Sequence, residues 1–434
     1  MVYAGLETRD IIVALMRHQS LSNIDILPFR RRVLFLFLLI AFAASYSAGK
    51  KSDSHRMEQI LNLVAKDVQN NFYDPTLKGL DWAALTEQAR QRIRDASETG
   101  EMIGAISALL YQLHDSHTVF IPPGLKIKAN YGFRAKPFGD TILVYQVDKD
   151  GPAAKAGLQL GDQIVGVNNL NAARASFFGM MRYLTVLDPR EELDVEVSDR
   201  GSSHVAKIAP IIETQSRESF YLLDRGRQQA DAEGPSYALR DYKDGCVYFQ
   251  LRSFLVRTTE LAPAVKRLKT AKSIILDLRG NGGGSIDTLI DLVGQFVPEA
   301  FVMATSVSRR KPEPIRVEPM SPHLVSPLII LLDSASASAS EMFARTMQIH
   351  KRAIVVGDRS SGSVDRALLF LQPVGPIQYA EFATEIAVSK VVMEDGEELE
   401  HRGVTPDEIC VPTPADLREE KDPCLERALA MIGK

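Results

Sequence analysis

Two short apolar segments, each followed by a run of small residues, limit most strongly what this chain can fold into. Residues 273–278 lead into a glycine-rich turn, and residues 328–332 lead into a turn of alternating serine and alanine. A helical pattern follows each turn, over residues 286–296 and 341–350. Near-continuous apolar strands that alternate with helices predict an α/β fold whose sheet is covered on both faces. Sites in such sheets form at the carboxyl ends of the strands, so we expect the chemistry at these two turns.

The first turn, residues 279–285, reads RGNGGGS. It lacks the lysine and hydroxyl residue of a P-loop, and Ser285 stands where a dinucleotide-binding motif would have its third glycine. Unhindered backbone N–H groups beside a helix N-terminus can still bind an anion. One such anion is the oxyanion that forms during acyl transfer.

The second turn, residues 333–341, reads DSASASASE. Helix capping by Ser338 or Ser340 would require one serine. Four alternating serines that face an anion-binding turn favour a nucleophile, with capping as the alternative.

Two regions with other patterns of apolar residues precede this α/β region. Apolar residues recur at helical spacing between residues 54 and 113. Short alternating segments at 141–145, 163–167 and 193–197, separated by glycine-containing turns, predict strands. A charged linker, residues 224–233, separates them from the α/β region.

The alternating segments, over roughly 128–213, resemble a PDZ domain. The resemblance rests on the words YGF at 131–133, GPAAKAGL at 151–158 and LGDQIVGVN at 160–168. It implies an α+β domain that captures the C-terminus of a protein or peptide by β-augmentation, with carboxylate-binding N–H groups at Tyr131, Gly132 and Phe133. A PDZ-shaped spacer that binds nothing is the alternative.

Three further motifs resemble those of the C-terminal processing (tail-specific) serine peptidase family: DLRGNGGG at 277–284, SASASE at 336–341 and GVTPD at 403–407. The resemblance covers nearly everything from residue 55 onward. It implies a crotonase-like (ClpP/crotonase-type) α/β core, an inserted PDZ domain and an N-terminal helical segment. It also implies Ser338 as nucleophile, with the N–H groups of Ala339 and Gly283 as the oxyanion hole, and neither a metal nor an organic cofactor.

One position departs from the family pattern. Many members use a Ser–Lys dyad, but Ser363 occupies the position of the lysine here. The word LHDSHT at 113–118 instead resembles the tricorn-like branch, whose members use serine, histidine and glutamate. By that resemblance His117 is the general base and Glu400 its partner, with Glu397 as the fallback for Glu400.

Two other functions remain open from the sequence. The missing lysine is also what a catalytically inactive, ligand-binding relative would show. A Ser–Lys enzyme with a relocated lysine is the third interpretation, although Lys351 lies at the far end of the helix that follows Ser338 and is discounted.

The N-terminal segment indicates export. Three arginines at 30–32 precede the apolar run 33–44 and then small residues, as in a signal peptide. Twelve apolar residues are few for a membrane span, which needs roughly 20, but an uncleaved membrane anchor remains an alternative. The predicted location is the periplasm or the cell envelope. Translation could begin at Met16. A net charge of -4 argues against a nucleic-acid partner.

We therefore expect four regions: an export signal (1–50), a helical part contributing His117 (51–127), a PDZ domain (128–213) and a peptidase core (214–434). Three cysteines are too few for a disulfide framework or a zinc site. A bridge between Cys410 and Cys424 and free thiols are both open.

Overall fold

A computed structural model of the chain describes residues 53–122, 127–199, 202–214, 235–373 and 380–432. The export segment and the linker 224–233 lie outside these residues. The chain divides into two compact units, Met1–Gln59 and Ile60–Lys434. Only residues 53–59 of the first unit are described, and they are helical. The elements that position the candidate site belong to the second unit.

The N-terminal part of this unit is helical, as its apolar periodicity predicts. Residues 60–71 belong to helix α1, and helices α2 (Trp82–Asp95) and α3 (Thr99–Tyr111) follow. The Glu98 and Glu101 side chains form a capping box that starts α3. After α3 the chain passes through residues 112–118 into the short strand β1 (Val119–Ile121).

The next region has the strands expected of a PDZ domain. Its elements are β2 (Ile127–Asn130), β3 (Phe133–Phe138), β4 (Thr141–Val147), α4 (Pro152–Lys155), β5 (Gln163–Val167), β6 (Leu170–Asn171), α5 (Phe177–Arg182), β7 (Leu193–Asp199), β8 (Ser202–Ile208) and β9 (Ile211–Thr214). A π-helical stretch, Tyr183–Leu187, continues α5. The three predicted strands fall within β4, β5 and β7. The main sheet has the order β3-β4-β5-β7-β8, with β6 on β5 and a separate β2–β9 pair.

The remaining elements form the core. They are β10 (Tyr237–Asp241), β11 (Cys246–Leu251), α6 (Thr258–Leu268), β12 (Ser273–Asp277), α7 (Ile286–Gly294), β13 (Phe301–Ser308), β14 (Glu313–Val317), β15 (Leu328–Leu332), α8 (Ala339–Ile349), β16 (Ala353–Gly357), β17 (Arg366–Pro373), β18 (Ala380–Met393), β19 (Glu408–Ile409), α9 (Pro414–Arg418) and α10 (Pro423–Ile432). A six-stranded sheet has the order β10-β11-β12-β15-β16-β19. Its strands are parallel from β11 onward.

This sheet is covered on both faces, as its apolar strands predict. Leu276 and Ile330 are fully buried in the cluster that α6, α7 and α8 complete on one face. On the other face Ile275 and Leu331 pack with Ala428 of α10. The disulfide Cys410–Cys424 joins the end of β19 to α10, which decides between the two predictions for these cysteines. No helix in the described ranges is long and apolar enough to span a membrane.

A second sheet brings the N-terminal part to the core. Its order is β1-β18-β13-β14, and β17 pairs with β18. Val119 of β1 lies opposite Glu385 of β18. The strand that follows His117 is therefore fixed to the core by main-chain pairing.

Candidate active site

The two turns singled out in the sequence meet at the carboxyl ends of neighbouring strands. Because β12 and β15 are parallel and adjacent, the glycine turn and the serine–alanine turn leave the sheet side by side. The Asp333 carboxylate accepts a hydrogen bond of 2.9 Å from the Gly280 amide across this junction. Lys136 of the PDZ domain lies 2.5 Å from the same carboxylate and, although burial alone would raise the pKa of Asp333, this ion pair holds it below its usual value.

The four alternating serines are not equivalent. The hydroxyl groups of three of them donate to main-chain carbonyls: Ser334 to Pro137 at 2.5 Å, Ser336 to Leu278 at 2.8 Å and Ser340 to Asn281 at 2.8 Å. These bonds tie the turn to the PDZ domain and to the glycine turn. Within the described residues the Ser338 hydroxyl donates to no protein group. Ser338 is the N-cap of α8 and forms a capping box with Glu341, and it also lines a large cavity.

The backbone of Ser338 is held in an unusual conformation. Its φ of 55° and ψ of -117° lie outside the regions that non-glycine residues favour. The Ser338 amide donates to the Ser363 carbonyl at 2.7 Å and to the buried Glu341 carboxylate at 3.0 Å. Such over-determined strain is concentrated at functional sites.

The two N–H groups that were predicted as oxyanion donors differ in whether they already have a hydrogen-bond partner. The amide of Ala339 begins α8 and has no hydrogen-bond partner among the described residues. The Gly283 backbone packs directly against Ser338, where a Cβ would come within 2.6 Å of the Ser338 Cβ. However, the Gly283 amide donates to Asn281 Oδ1 at 2.9 Å, and the adjacent Gly282 and Gly284 line the cavity instead.

His117 lines the same cavity as Ser338, which has a volume of about 1340 Å³. Its Nδ1 atom lies 3.0 Å from the Ser116 hydroxyl. The Ser116 hydroxyl also accepts a hydrogen bond of 2.7 Å from Ser363, the residue at the family's lysine position. No hydrogen bond joins His117 to Ser338 in the described part of the chain.

Glu400 lies behind the histidine segment and contacts its main chain rather than its ring. It accepts from the Ser116 amide at 3.0 Å and from the Val364 amide at 2.9 Å. Burial raises the pKa of Glu400, but hydrogen bonding from the Ser116 side chain, from the Val364 amide and from the Ser116 amide, together with the nearby His117 imidazole, outweighs burial and leaves the pKa below its ordinary value. Glu397, the fallback, instead forms an ion pair with Arg345 at 2.8 Å.

Two further carboxyl groups, which the sequence did not single out, lie beside Glu400. Oxygen atoms of Asp115, Asp365 and Glu400 all lie within 4.8 Å of one another. Burial, with repulsion from Glu400 and Asp115, raises the pKa of Asp365 to about 8. Burial and the Glu400 charge also raise the pKa of Asp115. Glu400 is therefore the member of the cluster whose pKa is lowered and whose ionised form the surroundings favour.

Glu341, which the sequence also did not single out, lies beside Ser338. Its side chain is fully buried and accepts from Ser360 Oγ and from the amides of Gly362, Ser363 and Ser338. The motif SASASE contains this residue, but the motif alone does not show that the Glu341 carboxylate faces the loop 360–363. Two other core histidines are engaged elsewhere, His350 with Glu394 and His401 with the His114 carbonyl.

The predicted carboxylate-binding loop of the PDZ domain lies at the start of β3. Gly132 adopts a φ of 75°, and its amide donates to Asn130 Oδ1 at 2.9 Å. The Tyr131 hydroxyl donates to the Arg190 carbonyl at 2.6 Å. Phe133 begins β3, the strand at the edge of its sheet, and lines the same cavity as Ser338.

Comparison with known proteins agrees with this architecture. The model of peptidase family S41 matches residues 245–410, the region that holds both turns. Residues 245–410 therefore form a domain similar to those of this family. A PDZ domain model matches residues 143–175 and a tricorn protease C1 domain model matches 55–108. The protein is thus a serine peptidase, and the interpretation as an inactive binding module is not favoured.

Relatives and solved structures extend this comparison. The chain is 24% identical over 420 residues to the carboxyl-terminal-processing protease of Picosynechococcus sp., covering 92% of this chain and 94% of the relative. It is 24% identical to the tail-specific protease of Haemophilus influenzae, but covers only 54% of that relative.

Its fold is similar to that of mature CPAF complexed with lactacystin, with a TM-score of 0.66 at 12% identity over 88% of this chain and 98% of the other. The photosystem II D1 C-terminal processing protease gives a TM-score of 0.51 at 17% identity, over 82% of this chain and 93% of the other. At these identities the structures establish the fold.

Proposed function

We propose that this serine peptidase is a C-terminal processing endopeptidase in which Ser338 is the nucleophile. The observation that carries the proposal is the difference among the four serines of the turn. Three hydroxyl groups donate to main-chain carbonyls and hold the turn, whereas Ser338 caps α8 and lines the cavity from a strained backbone. The unpartnered Ala339 amide lies next to it, where an oxyanion donor is needed.

His117 is proposed as the general base. Because Nδ1 is engaged by Ser116, Nε2 is the atom that would take the proton from Ser338 as its Oγ attacks a peptide carbonyl. The imidazolium would later give this proton to the leaving amine. Glu400, which is held ionised beside the histidine segment, would stabilise the positive charge through Ser116 rather than through a direct bond to the ring.

This assignment requires His117 and Ser338 to approach each other during catalysis. Catalytic hydrogen bonds often tighten only when substrate is bound. The same holds for the second oxyanion donor. Gly283 can serve only if its amide turns away from Asn281, to which it donates here.

The PDZ domain is proposed to capture the C-terminus of a protein substrate. The support is geometric, because β3 is an edge strand that can accept an added strand and lines the same cavity as Ser338. A bound tail would therefore lie close to the nucleophile. The curated relatives named carboxyl-terminal-processing protease and tail-specific protease agree with such a substrate.

Export to the cell envelope is proposed from two observations. The arginines at 30–32 and the apolar run 33–44 have the pattern of a signal peptide or an anchor. The Cys410–Cys424 disulfide is the kind of bond that persists in an oxidising compartment.

The proposal is tested by labelling the purified protein with a fluorophosphonate, which reacts with activated serines. We expect labelling of the wild type and its loss in Ser338→Ala and His117→Ala. Ser334→Ala, in the same turn, and His401→Ala, beside Glu400, are the matched controls and should still label. Cleavage of a protein with an apolar C-terminal tail should slow when that carboxylate is amidated.

The proposal fails if the wild type is not labelled, or if Ser338→Ala labels as fast as the wild type. Persistent labelling of His117→Ala would instead favour a relocated lysine as the base.

A further inference from the structure

An ion pair joins the glycine turn to helix α10. The guanidinium group of Arg279, the first residue of this turn, donates to both carboxylate oxygens of Asp422 at 2.8 Å. It also donates to the buried carboxylate of Asp277 at 2.6 Å. Because Asp277 ends the strand that leads into the turn, Asp422 is the contact that ties this guanidinium to a separate element, within the described ranges. A bidentate pair of this kind fixes orientation as well as distance.

Asp422 also starts the helix that follows it. It immediately precedes α10, and its carboxylate accepts from the Leu425 amide at 3.0 Å, as an N-cap does. Burial raises the pKa of Asp422, but hydrogen bonds from Arg279 and from the first turn of α10, with the Arg279 charge, hold this pKa below its usual value. Because one carboxylate both caps α10 and binds Arg279, the position of this helix end is transmitted to the guanidinium group.

The disulfide fixes the same end of α10. Cys424, two positions after Asp422, is bonded to Cys410. The Cys410 amide donates to the Gly357 carbonyl at 2.8 Å, at the end of β16. The start of α10 is therefore joined covalently to a segment that is hydrogen-bonded to the parallel sheet. Cys424 is 2% exposed, whereas Cys410 is only partly buried, so Cys410 is the sulfur that a small thiol can attack.

The glycine turn in its turn contacts the nucleophile turn. Two positions after Arg279, the Asn281 carbonyl accepts from the Ala337 amide at 3.0 Å and from the Ser340 hydroxyl at 2.8 Å. These two donors lie on either side of Ser338 in the chain. A displacement of Arg279 therefore changes the geometry between Ser338 and the turn whose N–H groups are proposed as oxyanion donors.

We propose that Asp422 is a positioning residue for the glycine turn, and that the Cys410–Cys424 disulfide makes the reactivity of Ser338 dependent on redox state. The proposal rests on the proposed function, because it takes Ser338 as the nucleophile. While the disulfide is intact, α10 presents Asp422 to Arg279. Reduction releases the start of α10, and the glycine turn then loses its support from outside. The peptidase thus reaches full activity only where the disulfide persists, in an oxidising compartment.

The redox step consumes one equivalent of a dithiol. One thiolate of the dithiol attacks the Cys410 sulfur, the S–S bond breaks, and Cys424 leaves as a thiolate that takes up a proton. The second thiol of the reagent then attacks the mixed disulfide, releases Cys410 as a thiol and closes the disulfide of the reagent. Two electrons and two protons pass from the dithiol to the protein. The free Cys246 is buried and takes no part.

The first readout is the rate of fluorophosphonate labelling, since the adduct at Ser338 places a phosphoryl oxygen where the oxyanion forms. We expect dithiothreitol, well below the unfolding temperature, to slow labelling of the wild type about tenfold, less than the roughly 100-fold that a misplacement of about 1 Å can cost. The variant with both Cys410→Ser and Cys424→Ser should label at the slow rate with and without dithiothreitol. It also controls for any effect of the reductant on the probe.

Variants of Asp422 separate positioning from helix capping. Asp422→Ser keeps an N-cap oxygen for α10 but cannot bind Arg279 through two oxygens, so it should label about as slowly as the reduced wild type. Asp422→Asn keeps one oxygen of the same reach and should recover part of the rate. Glu426→Gln removes an exposed carboxylate from the first turn of the same helix; it is the matched control and should label like the wild type.

The two changes are then combined. If the disulfide acts through Asp422, dithiothreitol should slow Asp422→Ser by little more than onefold, so the two effects do not multiply. Hydrogen exchange of residues 279–284 in Ser338→Ala reports on the glycine turn without needing catalysis. We expect reduction, or added Asp422→Ser, to increase this exchange, and added Glu426→Gln to leave it unchanged.

The proposal is overturned if the reduced wild type and Asp422→Ser both label like Glu426→Gln. It is also overturned if dithiothreitol slows Asp422→Ser by the same factor as the wild type, because reduction would then act through general destabilisation. Faster exchange at 279–284 on reduction, without any labelling of Ser338 in the oxidised wild type, would support the positioning by Asp422 and contradict the proposed function.

Discussion

The amide of Ser338 donates a hydrogen bond of 3.0 Å to the carboxylate of Glu341, three residues further along the chain. The same carboxylate binds the amides of Gly362 and Ser363. Glu341 therefore joins the nucleophile turn to the loop that holds Ser363, at the position where many relatives carry lysine. Burial raises the pKa of Glu341 to about 7, although these donors oppose the increase.

Replacing Glu341 by glutamine should disrupt the site without changing its volume. Each carboxylate oxygen accepts two donors, so the amide nitrogen of glutamine would face two hydrogen atoms. We expect a loss of stability of roughly 2–3 kcal/mol from the unsatisfied donors and at least roughly tenfold slower labelling from the displaced Ser338. Glu101→Gln, at the corresponding position of the exposed cap of α3, is the control; equal behaviour of the two variants would contradict the prediction.

Gly283 should not tolerate alanine. A Cβ would come within 2.6 Å of the Ser338 Cβ and 2.9 Å of the Ala337 carbonyl, and the φ of 94° disfavours any side chain. Since a displacement of about 1 Å can cost roughly 100-fold in rate, we expect labelling of Gly283→Ala to fall by about that factor.

Gly280→Ala is the matched comparison for Gly283→Ala. Its φ of 71° is also positive, but a Cβ meets no atom within 4 Å. We expect it to lose roughly 1–2 kcal/mol of stability from backbone strain and to keep most of its labelling rate. Similar labelling rates for the two variants would show that backbone strain, and not contact with Ser338, slows the labelling of Gly283→Ala.

The raised pKa of Asp365 predicts a pH-dependent stability. A carboxyl group with a pKa of about 8 in the folded protein and roughly 4 when unfolded binds its proton more tightly in the folded state. Its contribution is therefore fully present below about pH 4 and is lost as pH rises to about 8. Asp365→Asn can keep the hydrogen bond from the Val391 amide and removes the cost of ionisation.

We expect Asp365→Asn to be more stable than the wild type at pH 8.5, by on the order of 3 kcal/mol, and the difference to shrink toward acidic pH. Thermal unfolding at several pH values measures this. Asp140→Asn, which removes an exposed carboxylate, is the control. A difference that grows toward acidic pH would have the wrong sign.

The disulfide predicts sensitivity to reductant. Cys410 and Cys424 lie 14 positions apart in the chain, and closing a loop of this length stabilises by about 3 kcal/mol in the chain-entropy model. Reduction, or replacement of both cysteines by serine, should therefore lower the unfolding temperature. The double variant should then no longer respond to reductant, and a wild type that does not respond either would refute the prediction.

The elements that the sequence predicted correctly are those set by local pattern. The predicted strands 163–167 and 328–332 coincide with β5 and β15, because turn residues bound each apolar run on both sides. Ser338 could also be singled out from the sequence, since the alternation of serine and alanine is visible without coordinates.

The features that the sequence could not provide depend on contacts between distant segments. Asp365 and Asp115 lie 250 positions apart in the chain. They meet because β1, which follows Asp115, and β17, which follows Asp365, both pair with β18. The direction of the Gly283 amide depends on the Asn281 side chain, and a run of glycines does not show which N–H group points outward.

Ser116 should matter for catalysis through the orientation of His117. Its hydroxyl lies 3.0 Å from Nδ1 and accepts from Ser363, while its amide donates to Glu400. Ser116→Ala removes the hydroxyl from the imidazole and from the Glu400 carboxylate, while the Ser116 amide can still donate to Glu400. We expect kcat to fall by about tenfold, less than the roughly 100-fold or more that general acid–base catalysis itself contributes, with little change in KM.

Ser116→Thr, which retains a hydroxyl, should recover part of kcat. Ser363→Ala, which leaves Ser116 Oγ next to the ring, should have a smaller effect than Ser116→Ala. If Ser116→Ala matched the wild type in kcat, the ring would be oriented by another group, and direct contact between Glu400 and His117 during turnover would become the better account of the base.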